Sequence, residues 1–178
     1  MKKVRNIILT GFMGSGKSTV GKRLARTLGW EFIDTDLEIE RITDMTVAEI
    51  FKRHGETRFR SEESLMVKRL MDRENCVIAT GGGTVLNPEN QTLLAQMGVV
   101  ISLYAPVETI LERVGHRTDR PLLKTGREEI EALWEARQAA YARADYIVDT
   151  TEKNIEEVEK EILVYLEEED KLGKSAKD

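Results

Sequence analysis

Residues 11–18 read Gly-Phe-Met-Gly-Ser-Gly-Lys-Ser, which fits the phosphate-binding pattern G-x-x-x-x-G-K-[ST]. Such a loop sits between a strand and a helix, so it constrains the local fold as well as the chemistry. The context agrees: Ile7-Ile8-Leu9 precedes it and a helical pattern follows. Gly11, Gly14 and Gly16 clear the space a triphosphate needs, and the backbone N–H groups with the following helix start attract anions. Gly14, Ser15, Gly16, Lys17, Ser18 and Thr19 are therefore candidate ATP-binding residues. Lys17 reaches the β/γ-phosphates, and the Ser18 hydroxyl can ligate Mg²⁺. The alternative is a Gly-rich turn with no ligand.

Strands and helices alternate along the rest of the chain. Expected strands are Ile7–Thr10, Glu31–Ile33, Cys76–Thr80, Val99–Tyr104 and Tyr146–Val148. Expected helices include Lys17–Leu28, 57–71, Arg127–Ala144 and Asn154–Leu166. Leu65, Met66 and Leu70 are candidates for the buried side of the 57–71 helix. Thr46-Val47-Ala48-Glu49 spells a capping box, and His54-Gly55 should break the short helix it opens. Asn87-Pro88 reads as an N-cap followed by proline, and Gly98 as the stop of that helix. Pro106 opens another helix ending near Gly115. This alternation predicts an α/β fold with a parallel sheet covered on both faces. Ligands bind beyond the carboxyl ends of such strands. The phosphate loop, Asp34/Asp36 and Gly81-Gly82-Gly83 each follow a strand, so they converge on one cleft. No repeat or second domain is visible. A single domain is expected over 1–166, with a charged tail over 167–178 that frays or is disordered.

The third strand ends in Thr80 and glycines, so it offers no carboxylate for a metal. Asp34 and Asp36 after the second strand are the candidates. In an extended segment alternate residues point the same way, so both should face the cleft, one for metal and one for the acceptor. The alternative is that either one caps the next helix. From spacing alone, Arg60 and Arg137 read as solvated helix charges. Gly81-Gly82-Gly83 is entropically costly, and either close approach to a ligand or a flexible turn accounts for it. The segment Gly115–Gly126 holds His116, Arg117, Arg120 and Lys124 between two glycines. Beside a phosphate loop it reads as a lid whose Arg117 or Arg120 stabilises charge on the transferred group. His54 and His116 lack partners for a metal site or a triad.

The chain has 178 residues and a net charge of −5, against a general nucleic-acid or membrane-surface binder. The single cysteine, Cys76, rules out an internal disulfide and suits a reducing cytoplasm; it reads as a core residue. No targeting segment or transmembrane-length run is visible. A cytoplasmic monomer acting on small molecules is expected.

Taken together, these segments resemble the shikimate kinases. The resemblance rests on the phosphate loop, Asp34-Thr35-Asp36, Gly55-Glu56 followed by Phe59-Arg60, Gly81-Gly82-Gly83, Arg120-Pro121-Leu122-Leu123, and Arg137 four residues before Tyr141. It extends to about Thr150. It implies a three-layer α/β/α phosphate-loop kinase fold of the nucleoside monophosphate kinase type, with five parallel strands in the order 2-3-1-4-5. It also implies ATP-dependent phosphorylation of the 3-hydroxyl of shikimate, a step toward chorismate and the aromatic amino acids. By the same resemblance Asp36 is the catalytic base, assisted by Lys17 and Arg120, and Asp34 contacts the magnesium shell with Ser18. Arg60, Arg137 and the backbone of Gly81, Gly82 and Gly83 bind shikimate. Arg120 meets the ATP phosphates from the lid near 115–126, and Arg113 lies near the adenine. The family's arginine after the fifth strand has no counterpart in Thr150-Thr151-Glu152-Lys153-Asn154, which leaves that contact to Lys153 or backbone groups. A kinase for gluconate or a nucleoside monophosphate is the runner-up. A non-catalytic nucleotide switch is disfavoured by the two aspartates and by the lack of an N-K-x-D motif.

Overall fold

The computed structural model describes residues 4–115 and 126–168. Strands β1 (Asn6–Thr10), β2 (Glu31–Asp34), β3 (Cys76–Ala79), β4 (Val99–Tyr104) and β5 (Tyr146–Asp149) form one sheet in the order β2-β3-β1-β4-β5. Every neighbouring pair is parallel, with Ile8 opposite both Ile78 and Val100. The helices are α1 (Lys17–Leu28), α2 (Thr35–Thr43), α3 (Val47–Arg69), α4 (Pro88–Met97), α5 (Val107–Val114), α6 (Arg127–Tyr141) and α7 (Ile155–Glu168). A 3₁₀ turn, Thr84–Leu86, follows the glycine run. The strand order and layering match the sequence expectation.

The period-two alternation of the strands divides the core. Ile7 and Leu9 pack with Leu24 of α1 and Ile162 of α7 on one face. Ile8 and Ile78 pack with Met66 and Val67 of α3 and Leu94 of α4 on the other. The α7 carboxylate of Glu159 accepts from Arg23 and Thr27 of α1, which ties the last helix to the helix that begins at the phosphate loop. Among the described residues no helix is long and apolar enough to cross a membrane.

Several expectations are corrected. The chain does not stay extended through Asp36: Asp34 ends β2 and caps α2, accepting from the N–H groups of Asp36 at 3.1 Å and Leu37 at 3.3 Å. The strong N-cap overrides the alternation assumed for an extended segment. The capping box at Thr46 and Glu49 is present, and Gly55 kinks α3 with φ 81°. Met66 and Leu70 are buried, but Leu65, about 100° around α3 from Met66, is exposed. Helix α6 ends at Tyr141, short of Ala144. Asn154 caps α7 by accepting the Glu157 N–H.

At the amino ends of the strands, the buried Asn6 side chain joins three segments. Its amide donates to Arg73 O at 2.8 Å and Met97 O at 3.1 Å, and its oxygen accepts the Cys76 N–H at 3.0 Å. Truncation leaves buried backbone groups unmatched. Asn6→Ala is expected to lower unfolding stability by about 2–4 kcal/mol, read as a lower urea midpoint at unchanged slope.

Candidate active site

The phosphate loop is built as its spelling demands. Gly14 and Gly16 adopt φ 72° and 97°, in the left-handed region that favours glycine, and α1 starts at Lys17. The Lys17 ammonium donates to Gly11 O at 2.8 Å and Phe12 O at 3.0 Å, so it lies against the loop. Ser15 is buried and Thr19 is exposed in the first turn of α1. The Ser18 hydroxyl donates to Asp34 Oδ2 at 2.7 Å, which places two hard oxygen donors side by side below the loop.

Asp34, Thr35 and Asp36 reach three different partners. Asp34 meets the loop through Ser18. Thr35 is buried, and its hydroxyl accepts the Gly81 N–H at 3.1 Å. Asp36 turns toward the glycine run: a Cβ on Gly81 would lie 2.7 Å from Asp36 Oδ1 and 2.7 Å from Glu63 Oε1. A Cβ on Gly82 would lie 3.1 Å from Arg137 Nη1, and one on Gly83 would run into the Arg60 guanidinium. Gly81–Gly83 is therefore a packed meeting point. The flexible-turn reading fails, because side chains here would displace the charged groups around it.

The two arginines differ from their surface reading. Arg137 is 5% exposed, its guanidinium lies 5.7 Å over the Phe12 ring, and its Nε makes no hydrogen bond. Arg60 is partly exposed. It donates to the buried Glu63 at 2.7 Å and to Glu56 at 3.1 Å. Burial opposes its charge, but the Glu63 and Glu56 carboxylates outweigh that and raise its pKa. Glu63 also accepts from Thr84 at 2.9 Å. The Tyr141 hydroxyl donates to Gly82 O at 2.6 Å.

Thr35, Glu63 and Thr84 were not singled out from sequence. Their only signals are a threonine between two aspartates and a glutamate three residues after Arg60 on one helix face. Arg113 donates to Gly14 O at 3.5 Å, Thr150 Oγ1 at 3.0 Å and Thr150 O at 2.9 Å, bridging the phosphate loop and the segment after β5. His116, Arg117, Arg120 and the rest of 116–125, where the lid is expected, lie outside the described residues.

A phosphate loop, an aspartate and two arginines thus meet around a backbone free of side chains. A family model described as shikimate kinase matches residues 13–167. The chain belongs to the shikimate kinase family. A shikimate kinase from Pelotomaculum thermopropionicum is 51% identical over 93% of this chain and 97% of its own length. A shikimate kinase structure from Acinetobacter baumannii in complex with shikimate superposes with a TM-score of 0.89 at 37% identity, covering 94% of this chain and 96% of that one. A deoxyadenosine kinase from M. mycoides with bound dATP shares the fold alone, with a TM-score of 0.64 at 18% identity over 91% of this chain and 99% of that one. The parallel five-stranded sheet, in the order β2-β3-β1-β4-β5, is the one the family resemblance implies.

Burial pushes the Tyr141 hydroxyl from the ordinary 10.0 up to about 12, with Arg137 beside it pulling the other way. The neutral phenol is thus preferred in the folded protein. Below pH 10 both states hold the proton and the residue is pH-neutral. Between about pH 10 and 12 the unfolded state loses it first, so stability falls as pH rises. The loss from this residue is expected to be about 3 kcal/mol. Urea unfolding at pH 9.5–12, compared between wild type and Tyr141→Phe, should show the alkaline slope reduced in the variant.

Proposed function

We propose that this chain transfers the γ-phosphoryl group of ATP to the 3-hydroxyl of shikimate, giving shikimate 3-phosphate and ADP on the route to chorismate. The observation that carries this reading is the meeting of Asp36, Arg60 and Arg137 around Gly81–Gly83, next to the phosphate loop. Shikimate presents a carboxylate at one end and hydroxyls at the other. Two guanidiniums and an aspartate complement both ends. The buried Arg137 Nε retains a donor for an incoming carboxylate. The family relative solved in complex with shikimate supports the same acceptor.

In the reaction, Asp36 accepts the proton of the substrate hydroxyl as its oxygen forms a bond to the γ-phosphorus. The bond from that phosphorus to the β,γ-bridging oxygen breaks, and ADP leaves with the electron pair. Lys17 and the loop amides hold the phosphates and offset the developing charge. Arg60 and Arg137 hold the acceptor's carboxylate, and Gly81–Gly83 lets its ring approach the backbone. Arg120 and Arg113 serve the nucleotide side. The adjoining Ser18 and Asp34 oxygens suit Mg²⁺, a hard cation that keeps water and phosphate among its ligands. When bound, Mg²⁺ neutralises charge on the β- and γ-phosphates. The net charge of −5 and the single cysteine suit a cytoplasmic enzyme acting on two small molecules.

Shikimate-dependent ADP release that requires Mg²⁺ is the direct test. A panel including gluconate and nucleoside monophosphates separates the runner-up, and preferential turnover of one of those would overturn the assignment. Asp36→Asn is expected to lower kcat by about 10²–10⁴-fold while ATP still binds. Arg137→Ala is expected to raise the KM for shikimate about 10- to 100-fold, the loss of charge-assisted hydrogen bonds. Steady-state kinetics with each substrate varied read both.

A further inference from the structure

We propose that Tyr141 is a positioning residue for the acceptor clamp, acting through its hydrogen bond to the glycine run. The proposal rests on the shikimate kinase reading and adds a specific role within it.

Arg137 and Tyr141 stand four residues apart on α6, so they share one face of the helix. Both are about 95% buried, each with 5% exposure. Both converge on Gly82: a Cβ there would lie 3.1 Å from Arg137 Nη1 and 3.5 Å from the Tyr141 hydroxyl oxygen. Only Tyr141 bonds to that residue directly, donating to its carbonyl at 2.6 Å. Arg137 makes no bond to the glycine run itself; its guanidinium lies beside the Tyr141 hydroxyl. It leans on the Phe12 ring, and its Nε makes no hydrogen bond.

Packing against the core holds one side of α6, through Ile130, Leu133, Trp134 and Tyr141. Tyr141 also lines a pocket of about 230 Å³, partly open to solvent, with Phe12, Tyr104, Ala105 and Trp134. On the side facing that pocket, α6 has fewer packing contacts to fix it. Two directional bonds hold α6 across that gap. Trp134 Nε1 donates to Ala105 O at 3.1 Å, and Tyr141 donates to Gly82 O at 2.6 Å. The first ties α6 to the end of β4. The second ties it to the backbone against which the acceptor lies. The distance from Arg137 to the glycine run is thus set by the phenol. Burial keeps the proton that makes this bond at pH 7 and pH 9 alike.

Removing only the hydroxyl oxygen isolates the bond from the ring. Tyr141→Phe is expected to raise the KM and the equilibrium Kd for shikimate about tenfold. The KM for ATP and kcat should change less than threefold, and the effect should be the same at pH 7 and pH 9. Tyr141→Met, which also removes the ring, should add a fall in Tm. A role confined to stability predicts the reverse: lower Tm in both variants with shikimate KM and Kd unchanged. That result, or equal losses for ATP and shikimate, would sink the proposal. If Tyr141→Phe does not accumulate as folded protein, Trp134→Phe, which removes the other tether of α6, supplies the measurement. There a raised shikimate Kd supports control of the clamp by the position of α6, and an unchanged one overturns it. Wild-type enzyme in the same assays separates the two readings. No shikimate-dependent ADP release from wild type overturns the function itself, whereas normal wild-type turnover with an unaffected Tyr141→Phe overturns only the positioning role.

Discussion

Charged side chains from three helices meet at the carboxyl end of the sheet because Gly81, Gly82 and Gly83 carry no side chains. Asp36 comes from α2, Arg60 and Glu63 from α3, and Arg137 from α6, and each lies where a Cβ of the glycine run would press on it. A larger residue at any of the three pushes these side-chain ends aside. The backbone entropy lost at three glycines is offset by what converges there. Glu63 keeps the cluster stable: as a buried carboxylate it partners Arg60 and accepts from Thr84, so the positive charge is matched and held in one place.

A second constraint lies at the junction of β2 and α2. Asp34 caps the helix and reaches Ser18, Thr35 anchors the Gly81 amide, and Asp36 lies against Gly81. Three consecutive residues join the phosphate loop, the glycine run and a carboxylate set against that run. Helical geometry makes this possible, since residues in a first turn fan out around the axis rather than alternating. The phosphate loop and the glycine run therefore share one corner, an arrangement that suits in-line phosphoryl transfer.

The sequence was most legible where chemistry depends on contiguous residues. The phosphate loop, the capping box at Thr46, the kink at Gly55 and the buried strands are local patterns, and their backbone consequences follow within a few residues. Arg60 and Arg137 were illegible from spacing because a charged residue on a charge-rich helix looks the same whether it faces water or a cleft. The family pattern identified them as site residues. Tertiary packing supplied the reason, burying Arg137 against Phe12 and pairing Arg60 with Glu63. Leu65 misled for the converse reason: an apolar residue on a long helix is buried only if its side of that helix meets the sheet.

By itself the sequence determined that this chain grips phosphates, alternates strands with helices in a parallel sheet, and carries the residue set of its family. Those properties reside in local spelling and period. Only the tertiary structure decided which partner each of Asp34, Thr35 and Asp36 takes, why three glycines stand in a row, and that Glu63 pairs with Arg60 while Tyr141 bonds to Gly82. Most of those facts depend on contacts between residues tens of positions apart, and local patterns of charge and hydrophobicity do not encode which distant groups meet.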